Sequence, residues 1–102
     1  MPSLDDLKKL IDLDPSDPFP RYGYAMQLRA AKRFDEAIAA FEDLIARSPD
    51  YIPARQQLAM AFEAAGRIDE ARGAYRAGID AARKAGERHA AEEMEGQLGM
   101  LG

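Results

Sequence analysis

Residues 18–51, PFPRYGYAMQLRAAKRFDEAIAAFEDLIARSPDY, decide the fold because residues 52–85, IPARQQLAMAFEAAGRIDEARGAYRAGIDAARKA, repeat them without a gap. The two stretches are identical at 11 of 34 positions, whereas composition alone predicts roughly three matches. The identical pairs are Arg21/Arg55, Ala25/Ala59, Met26/Met60, Ala30/Ala64, Ala31/Ala65, Arg33/Arg67, Asp35/Asp69, Glu36/Glu70, Ala37/Ala71, Ala40/Ala74 and Ile45/Ile79. The chain therefore contains a tandem repeat of 34 residues.

Each repeat has the apolar spacing of two helices. The first stripe is Tyr24, Ala25 and Leu28, and the second is Ala37, Ile38, Phe41, Leu44 and Ile45. Side chains three and four residues apart share one face of a helix, so each repeat is predicted to be an antiparallel helix pair. The whole chain is predicted to be all-α, with about six helices.

Polar and special residues mark the ends of these helices. Asp35 and Asp69 stand where helix N-caps are expected, each followed by a glutamate that complements the positive helix end. Pro49 stops the first pair, and Gly66 supplies a left-handed turn residue at little cost. The residue aligned with Gly66 is Lys32, which costs about 1 kcal/mol if its turn is also left-handed.

The flanks continue the pattern. Ser3 begins a helix whose apolar stripe is Leu4, Leu7, Leu10 and Ile11, and a last stripe is formed by Ala91, Met94, Leu98 and Leu101. We interpret residues 1–102 as one domain, with a half repeat at 3–14, repeats at 18–51 and 52–85, and a capping helix at 87–101. Because Asp5, Lys8, Lys9 and Asp12 look solvated, a closed N-terminal end and a monomer or weak homodimer are expected.

The repeats resemble the tetratricopeptide repeat family. The resemblance rests on the 34-residue period, on a small residue in each first helix (Ala25, Ala59) and second helix (Ala37, Ala71), and on Phe41, Tyr75, Gly66 and Pro49. It implies antiparallel helix pairs stacked into a short right-handed superhelix with a concave inner face. Arg21 and Arg55 depart from the family pattern, where a large apolar residue is usual. Arg83 replaces the closing proline of the second repeat, which predicts a longer fifth helix.

Composition and motifs argue against several functional classes. The net charge is −4, which disfavours nucleic-acid binding, and the sequence has no cysteine and no apolar run of roughly 20 residues that would span a membrane. Residues 18–86 carry eleven basic and nine acidic side chains, and this +2 either favours an acidic ligand slightly or is only a solvated surface. Without a signal peptide the expected location is cytoplasmic.

No set of catalytic or cofactor-binding residues stands out. His89, Glu92 and Glu93 share a helix face but are interpreted as solvated rather than as metal ligands. The acid pairs at helix starts are interpreted as dipole-complementing residues. No enzymatic activity and no cofactor are predicted.

By resemblance, the first helix of each pair lines the inner face, and helical spacing then selects a candidate binding surface. Its predicted members are Phe19, Tyr22, Met26, Arg29, Gln56, Met60 and Glu63, with Pro53 beside them. Met26 and Met60 fit either this groove or the core between repeats. The resemblance also implies that positions 22, 26, 56 and 60 would carry the Lys, Asn and Arg that grip chaperone-tail carboxylates in some members, and here they do not. We therefore predict an adaptor that binds a peptide or helix of a partner protein in a shallow, partly apolar groove. The alternative is a structural protein that self-assembles through its repeat ends.

Overall fold

The computed structural model describes residues 2–101, and this range contains helices and no strand. The helices are α1 (Leu4–Leu13), α2 (Pro18–Ala30), α3 (Phe34–Arg47), α4 (Ile52–Ala64), α5 (Ile68–Lys84) and α6 (Arg88–Met100). Each helix packs against the next one along the chain. The predicted fold class, an all-α array of antiparallel helix pairs, is confirmed. The domain limits stay a prediction, and their ends at Met1 and Gly102 lie outside the described residues.

The N-terminal ends of α1 and α2 are capped by side chains. The Ser3 hydroxyl accepts a hydrogen bond from the Asp6 amide at 3.1 Å, while the Asp6 carboxylate accepts one from the Ser3 amide at 3.2 Å. At α2, the Asp17 carboxylate accepts from the Phe19 amide at 3.0 Å, and Pro18 occupies the first helical position. These bonds satisfy amides that have no partner within the helix.

The prediction that Asp35 and Asp69 are N-caps is wrong. The caps are Arg33 and Arg67, which make no capping bond, and both helices begin one residue before the aspartate. Each arginine instead donates two hydrogen bonds to the glutamate three residues on. These distances are 2.9 and 2.6 Å in the first pair, and both are 2.8 Å in the second. The acids therefore lie in the first turn, where they still complement the helix dipole.

Left-handed residues join the helices of each pair. Gly66 has φ 77°, and Lys32 adopts φ 62° at the equivalent position, as the repeat alignment predicted. Both turns close in the same way, with the next amide bonded to the carbonyl five residues back at 2.9 Å. This is the Schellman arrangement, so the backbone geometry is retained although the side chain differs. Gly86, φ 75°, repeats it between α5 and α6.

Arg21 and Arg55, which depart from the family pattern, have a shared structural role. The Arg21 Nε donates to the Pro15 carbonyl at 3.2 Å, and the Arg55 Nε donates to the Pro49 carbonyl at 2.9 Å. Each arginine thus holds the turn that precedes its own helix. The third departure, Arg83, lies in a helix of 17 residues, against 14 for α3, so the predicted lengthening is confirmed.

Two buried clusters form the core. The first lies mainly between α2, α3 and α4 and contains Ala37 and Phe41, and the second lies between α4, α5 and α6 around Tyr75 and Met94. The side chains of these four residues are fully buried. The α6 helix covers Tyr75 as predicted, and it approaches α5 closely: a Cβ atom added at Gly78 would lie 2.7 Å from the Met94 sulfur.

The N-terminal helix is less buried than its stripe predicts. Only Leu7 is buried, whereas Leu10 is 44% exposed and Leu13 is 81% exposed. Because α1 packs on α2 alone, one narrow face is enough for the contact. The expectation that the apolar residues of α1 close this end of the molecule is therefore corrected. Within residues 2–101, no helix is both long enough and apolar enough to cross a membrane.

Candidate functional site

Side-chain hydrogen bonds connect the first helices of successive pairs. Arg29 of α2 donates to the Gln57 side chain of α4. Gln56 of α4 donates to Glu93 and to Gln97 of α6, both at 2.7 Å. Helices α2, α4 and α6 therefore lie side by side and form one continuous face. The α6 helix, predicted only as a cap, contributes side chains to this face.

A cavity of about 320 Å³ opens at the C-terminal ends of these three helices. It is lined by Arg29, Met60, Glu63, Ala64, Tyr75, Gln97 and Met100, and we call it the methionine cavity. Three of the predicted groove residues, Arg29, Met60 and Glu63, thus come together. Arg29, Glu63 and Gln97 are spaced 34 residues apart, so each copy of the period contributes one polar side chain to the same cavity.

Polar groups in the methionine cavity are held in place by hydrogen bonds. The Tyr75 hydroxyl donates to the Glu63 carboxylate at 2.9 Å. Burial raises the pKa of Tyr75, and the adjacent Glu63 carboxylate raises it further. Tyr75 therefore remains a protonated donor at neutral pH. The cavity offers apolar walls from two methionines together with one cation and one anion, which suits an amphipathic ligand rather than a strongly charged one.

Two other predicted residues belong to an aromatic cluster at the opposite, N-terminal ends of α2 and α4. The Tyr51 ring lies 5.5 Å from the Tyr22 ring and 6.0 Å from the Phe19 ring, the latter in an edge-to-face arrangement. Tyr22 also packs edge-to-face on the buried Phe41 at 6.3 Å, and burial raises its pKa. Phe19 is 72% exposed. We call Phe19, Tyr22 and Tyr51 the aromatic edge.

The two methionines that fit either groove or core differ in the structure. Met26 is half-buried and packs against the first core cluster. Met60 is half-buried against the second cluster and also lines the methionine cavity. Gln56 lies between the cavity and the aromatic edge, hydrogen-bonded to α6. The seven predicted residues therefore lie on one face but in two separate places.

Sequence reasoning missed Tyr51, Tyr75, Gln97 and Met100 as members of this face. Tyr75 aligns with the core residue Phe41, so its hydroxyl received no role. Gln97 lies 34 residues after Glu63, and extending the period beyond residue 85 would have found it. Met100 belongs to the helix that was interpreted as a cap.

The candidate metal and acid groups are surface features. His89 Nε2 lies 3.8 Å from Glu93, and the His89 side chain is 93% exposed. Over residues 2–101, no group of three potential metal ligands occurs. Glu36 and Glu70 bind arginine, and these hydrogen bonds lower the pKa of each carboxyl. The acid pairs at the starts of α3 and α5 thus take part in local ion pairs.

Comparison with known proteins places the fold in a family. A tetratricopeptide repeat model matches residues 28–93, more than half of the chain. A tetratricopeptide repeat domain protein from Salinibacter ruber is 32% identical, with 86% of this chain and 89% of that chain covered and a TM-score of 0.79. A protein from Bordetella parapertussis is similar in fold, at 20% identity, 99% and 89% coverage and a TM-score of 0.86.

The TPR2B domain of yeast Sti1, solved in its complex with pHsp70, also shares the fold. It is 22% identical, covers 96% of this chain and 78% of its own, and has a TM-score of 0.87. Among curated proteins, none matches the sequence. The family model and the Salinibacter relative agree with the 34-residue period and the paired helices, and the chain therefore belongs to the tetratricopeptide repeat family.

Proposed function

We propose that this chain is a non-enzymatic adaptor that holds a peptide or helix of a partner protein on the face formed by α2, α4 and α6. Tetratricopeptide repeats are in general protein-interaction modules, and repeat arrays of this kind use extended concave surfaces for binding. The observation that carries the proposal is the methionine cavity. Its 320 Å³ is near the lower limit for ligand pockets, which suits one or two side chains of a partner rather than a cofactor.

The chemistry of the methionine cavity favours an apolar side chain of the partner. Met60 and Met100 supply flexible, polarisable surface that adapts to different shapes. Arg29 and Glu63 provide one charge of each sign, so a neutral peptide backbone can bind between them without repulsion. We assign Arg29, Met60 and Glu63 direct contacts with the partner, as predicted, and add Tyr75, Gln97 and Met100.

An acidic chaperone tail is a poor candidate for the ligand. The Sti1 domain was solved with pHsp70, but positions 22, 26, 56 and 60 of this chain carry Tyr, Met, Gln and Met. None of these side chains supplies a positive charge for a terminal carboxylate. In calorimetric titrations at physiological salt, we expect an acidic tail peptide to bind no better than its scrambled control. Selective binding of the native order would contradict this assignment.

The proposal is tested with a substitution that alters the cavity but not the core. Met100 lines the cavity and is 87% exposed, so Met100→Asp adds a charge to it while the buried clusters stay intact. Peptides are first selected from a random display library on the wild-type chain. Their affinity for Met100→Asp should then fall by about fivefold or more, the effect expected for a contact residue near the centre of an interface.

Leu13→Asp is the matched control, because Leu13 is 81% exposed on α1 and lies outside the methionine cavity. It makes the same kind of change, an exposed apolar side chain to an acid, and should leave peptide affinity unchanged. Equal affinities for wild type and Met100→Asp would show that the partner uses another surface.

A second candidate is supported by the exposed side chains of α1. Leu10 and Leu13 present apolar surface that nothing in the described chain covers, which favours self-assembly through this end. Analytical ultracentrifugation separates the two candidates. If the chain assembles through α1, the wild type forms larger species as its concentration rises, and Leu13→Asp remains monomeric.

A further inference from the structure

A second pocket lies beside the aromatic edge, at the N-terminal ends of α4 and α6. It has a volume of about 310 Å³, and its lining includes Asp50, Tyr51, Gln56 and Glu87. Tyr51 belongs to both the pocket and the aromatic edge. Gln56 is hydrogen-bonded at 2.7 Å to Gln97, which lines the methionine cavity, so the pocket and the cavity are neighbours on the same face. We call it the acidic pocket.

Negative charge surrounds the aromatic ring that the two features share. Asp50 and Glu87 line the pocket, and Glu93 accepts a hydrogen bond from Gln56 at its wall. Asp17, the cap of α2, is close enough to Tyr51 that its charge adds to burial in raising the pKa of that phenol. Among the described residues that line the acidic pocket, none is a lysine or an arginine.

Two nearby arginines are engaged elsewhere and do not neutralise this charge. Arg55 donates to the Pro49 carbonyl at 2.9 Å, and Arg21 binds both the Pro15 carbonyl and Asp43. Complementing a helix dipole would account for acids before α4 and α6. It does not account for Phe19, whose ring is held edge-to-face against Tyr51 while 72% of the residue remains exposed.

The combination selects the chemistry of the occupant. A guanidinium group is planar, stacks on aromatic faces and pairs with carboxylates through several donors. An aliphatic side chain would remove the carboxylates from water without giving them a partner, and an acidic group would be repelled. We therefore propose that the acidic pocket binds an arginine side chain of the partner, next to the apolar residue held in the methionine cavity. This inference rests on the proposed function and adds the chemistry of the partner to it.

The test uses the full chain and small probes, so it needs no knowledge of the partner. N-acetyl-arginine amide carries one guanidinium charge, and N-acetyl-citrulline amide has nearly the same shape without the charge. In titrations followed by amide chemical shifts, the arginine probe should shift Tyr51, Gln56 and Glu87 in a saturable way. The citrulline probe should leave these signals in place, and added salt should weaken the arginine effect because the attraction is electrostatic.

Variants separate a specific pocket from general attraction to an acidic protein. Asp50→Asn with Glu87→Gln should weaken binding of the arginine probe by about fivefold, from the loss of two exposed charge pairs. Phe19→Ala should weaken it by about two- to fivefold, from the loss of stacking. The matched control is Asp12→Asn with Glu92→Gln, which removes the same charge from exposed positions outside the pocket and should change affinity little.

Each other outcome overturns the inference. Shifts spread over all acidic surfaces, or an equal loss in the control variant, would mean general charge attraction only. A stronger response to N-acetyl-leucine amide would mean an apolar occupant, and concentration-dependent shifts without any probe would mean a second copy of the chain. If these results appear while selected peptides still depend on Met100, the arginine pocket is wrong and the proposed adaptor function stands.

Discussion

The α2–α3 and α4–α5 pairs show which parts of a repeat are fixed and which can vary. Both close their turn with a left-handed residue, and both bind a preceding proline carbonyl through an arginine. They differ at the fully buried aromatic position of the second helix. Phe41 packs against the Tyr22 ring, whereas Tyr75 donates a hydrogen bond to Glu63 in the methionine cavity.

The comparison teaches that the backbone turns and the small residues are constrained by packing, while the face of α2, α4 and α6 diverges between repeats. Arg29 and Glu63 occupy equivalent positions with opposite charges. A surface that binds identical repeats of a ligand would keep these positions alike. Their divergence instead produces one cavity with two different charges, which suits a single asymmetric partner.

The largest expected effect concerns the dependence of the second pair on α6. Met94 is fully buried against Tyr75 and Ile79 in the second cluster, so Met94→Ala should lower the free energy of unfolding by about 2–5 kcal/mol. Chemical denaturation measures this directly. Met100→Ala is the matched control in the same helix, and because Met100 is 87% exposed its change should stay within about 0.5 kcal/mol. Equal stability of both variants would remove α6 from the core.

The next effect tests whether the two pairs are packed equally tightly. Ala37 and Ala71 are fully buried at equivalent positions, so leucine at either one should overpack the contact and cost about 1–3 kcal/mol. Ala39 is exposed on the same helix as Ala37, and Ala39→Leu serves as the control. A loss in only one of the two pairs, measured by thermal and chemical unfolding, would show that the repeats differ in packing as well as in surface.

Much of the fold is predictable from sequence because the 34-residue period repeats local information. Gly66 identifies a left-handed turn, and alignment transfers that turn to Lys32. The N-caps were harder to predict, since any aspartate before a helical stripe looks like a cap. Only the structure shows Arg33 bridging to Glu36 instead. Helix boundaries of one residue depend on such local competition between side chains.

The candidate site was less predictable than the fold. Helical spacing placed Arg29, Met60 and Glu63 on one face, but it could not show that Tyr75 reaches them from α5. It also treated α1 as a sealed stripe, whereas a helix with a single neighbour leaves Leu13 exposed. Contacts between elements depend on packing angles and side-chain reach, and spacing along one helix contains neither.

A smaller pair of effects with opposite signs tests the shared turn. Gly66→Ala places a side chain at φ 77° and should cost about 1–2 kcal/mol. Lys32→Gly removes the same strain at φ 62° and should stabilise the chain by up to about 1 kcal/mol. Gly73→Ala, in the exposed interior of α5 with open space around it, controls for replacing glycine and should stabilise by about 0.5–1 kcal/mol. If Lys32→Gly destabilised the chain, the lysine side chain would have a role that offsets its strain.

The smallest expected effect concerns the hydroxyl that distinguishes Tyr75 from Phe41. Tyr75→Phe keeps the buried ring and removes the bond to Glu63, and because Glu63 is exposed and can bind water instead, the cost near neutral pH should be only about 0.5–1.5 kcal/mol. The folded chain favours the neutral phenol, since burial and the Glu63 charge raise its pKa above the ordinary value near 10. That contribution is fully present below about pH 10 and is lost as pH rises through the raised pKa of the folded state. Denaturation midpoints measured across this range should therefore fall more steeply with pH for the wild type than for Tyr75→Phe, although Tyr22 and Tyr51, whose pKa values burial also raises, still titrate in the variant. Parallel curves would mean that the Tyr75 phenol titrates as freely in the folded chain as in the unfolded one, and that the two repeats differ at this position in chemistry but not in energy.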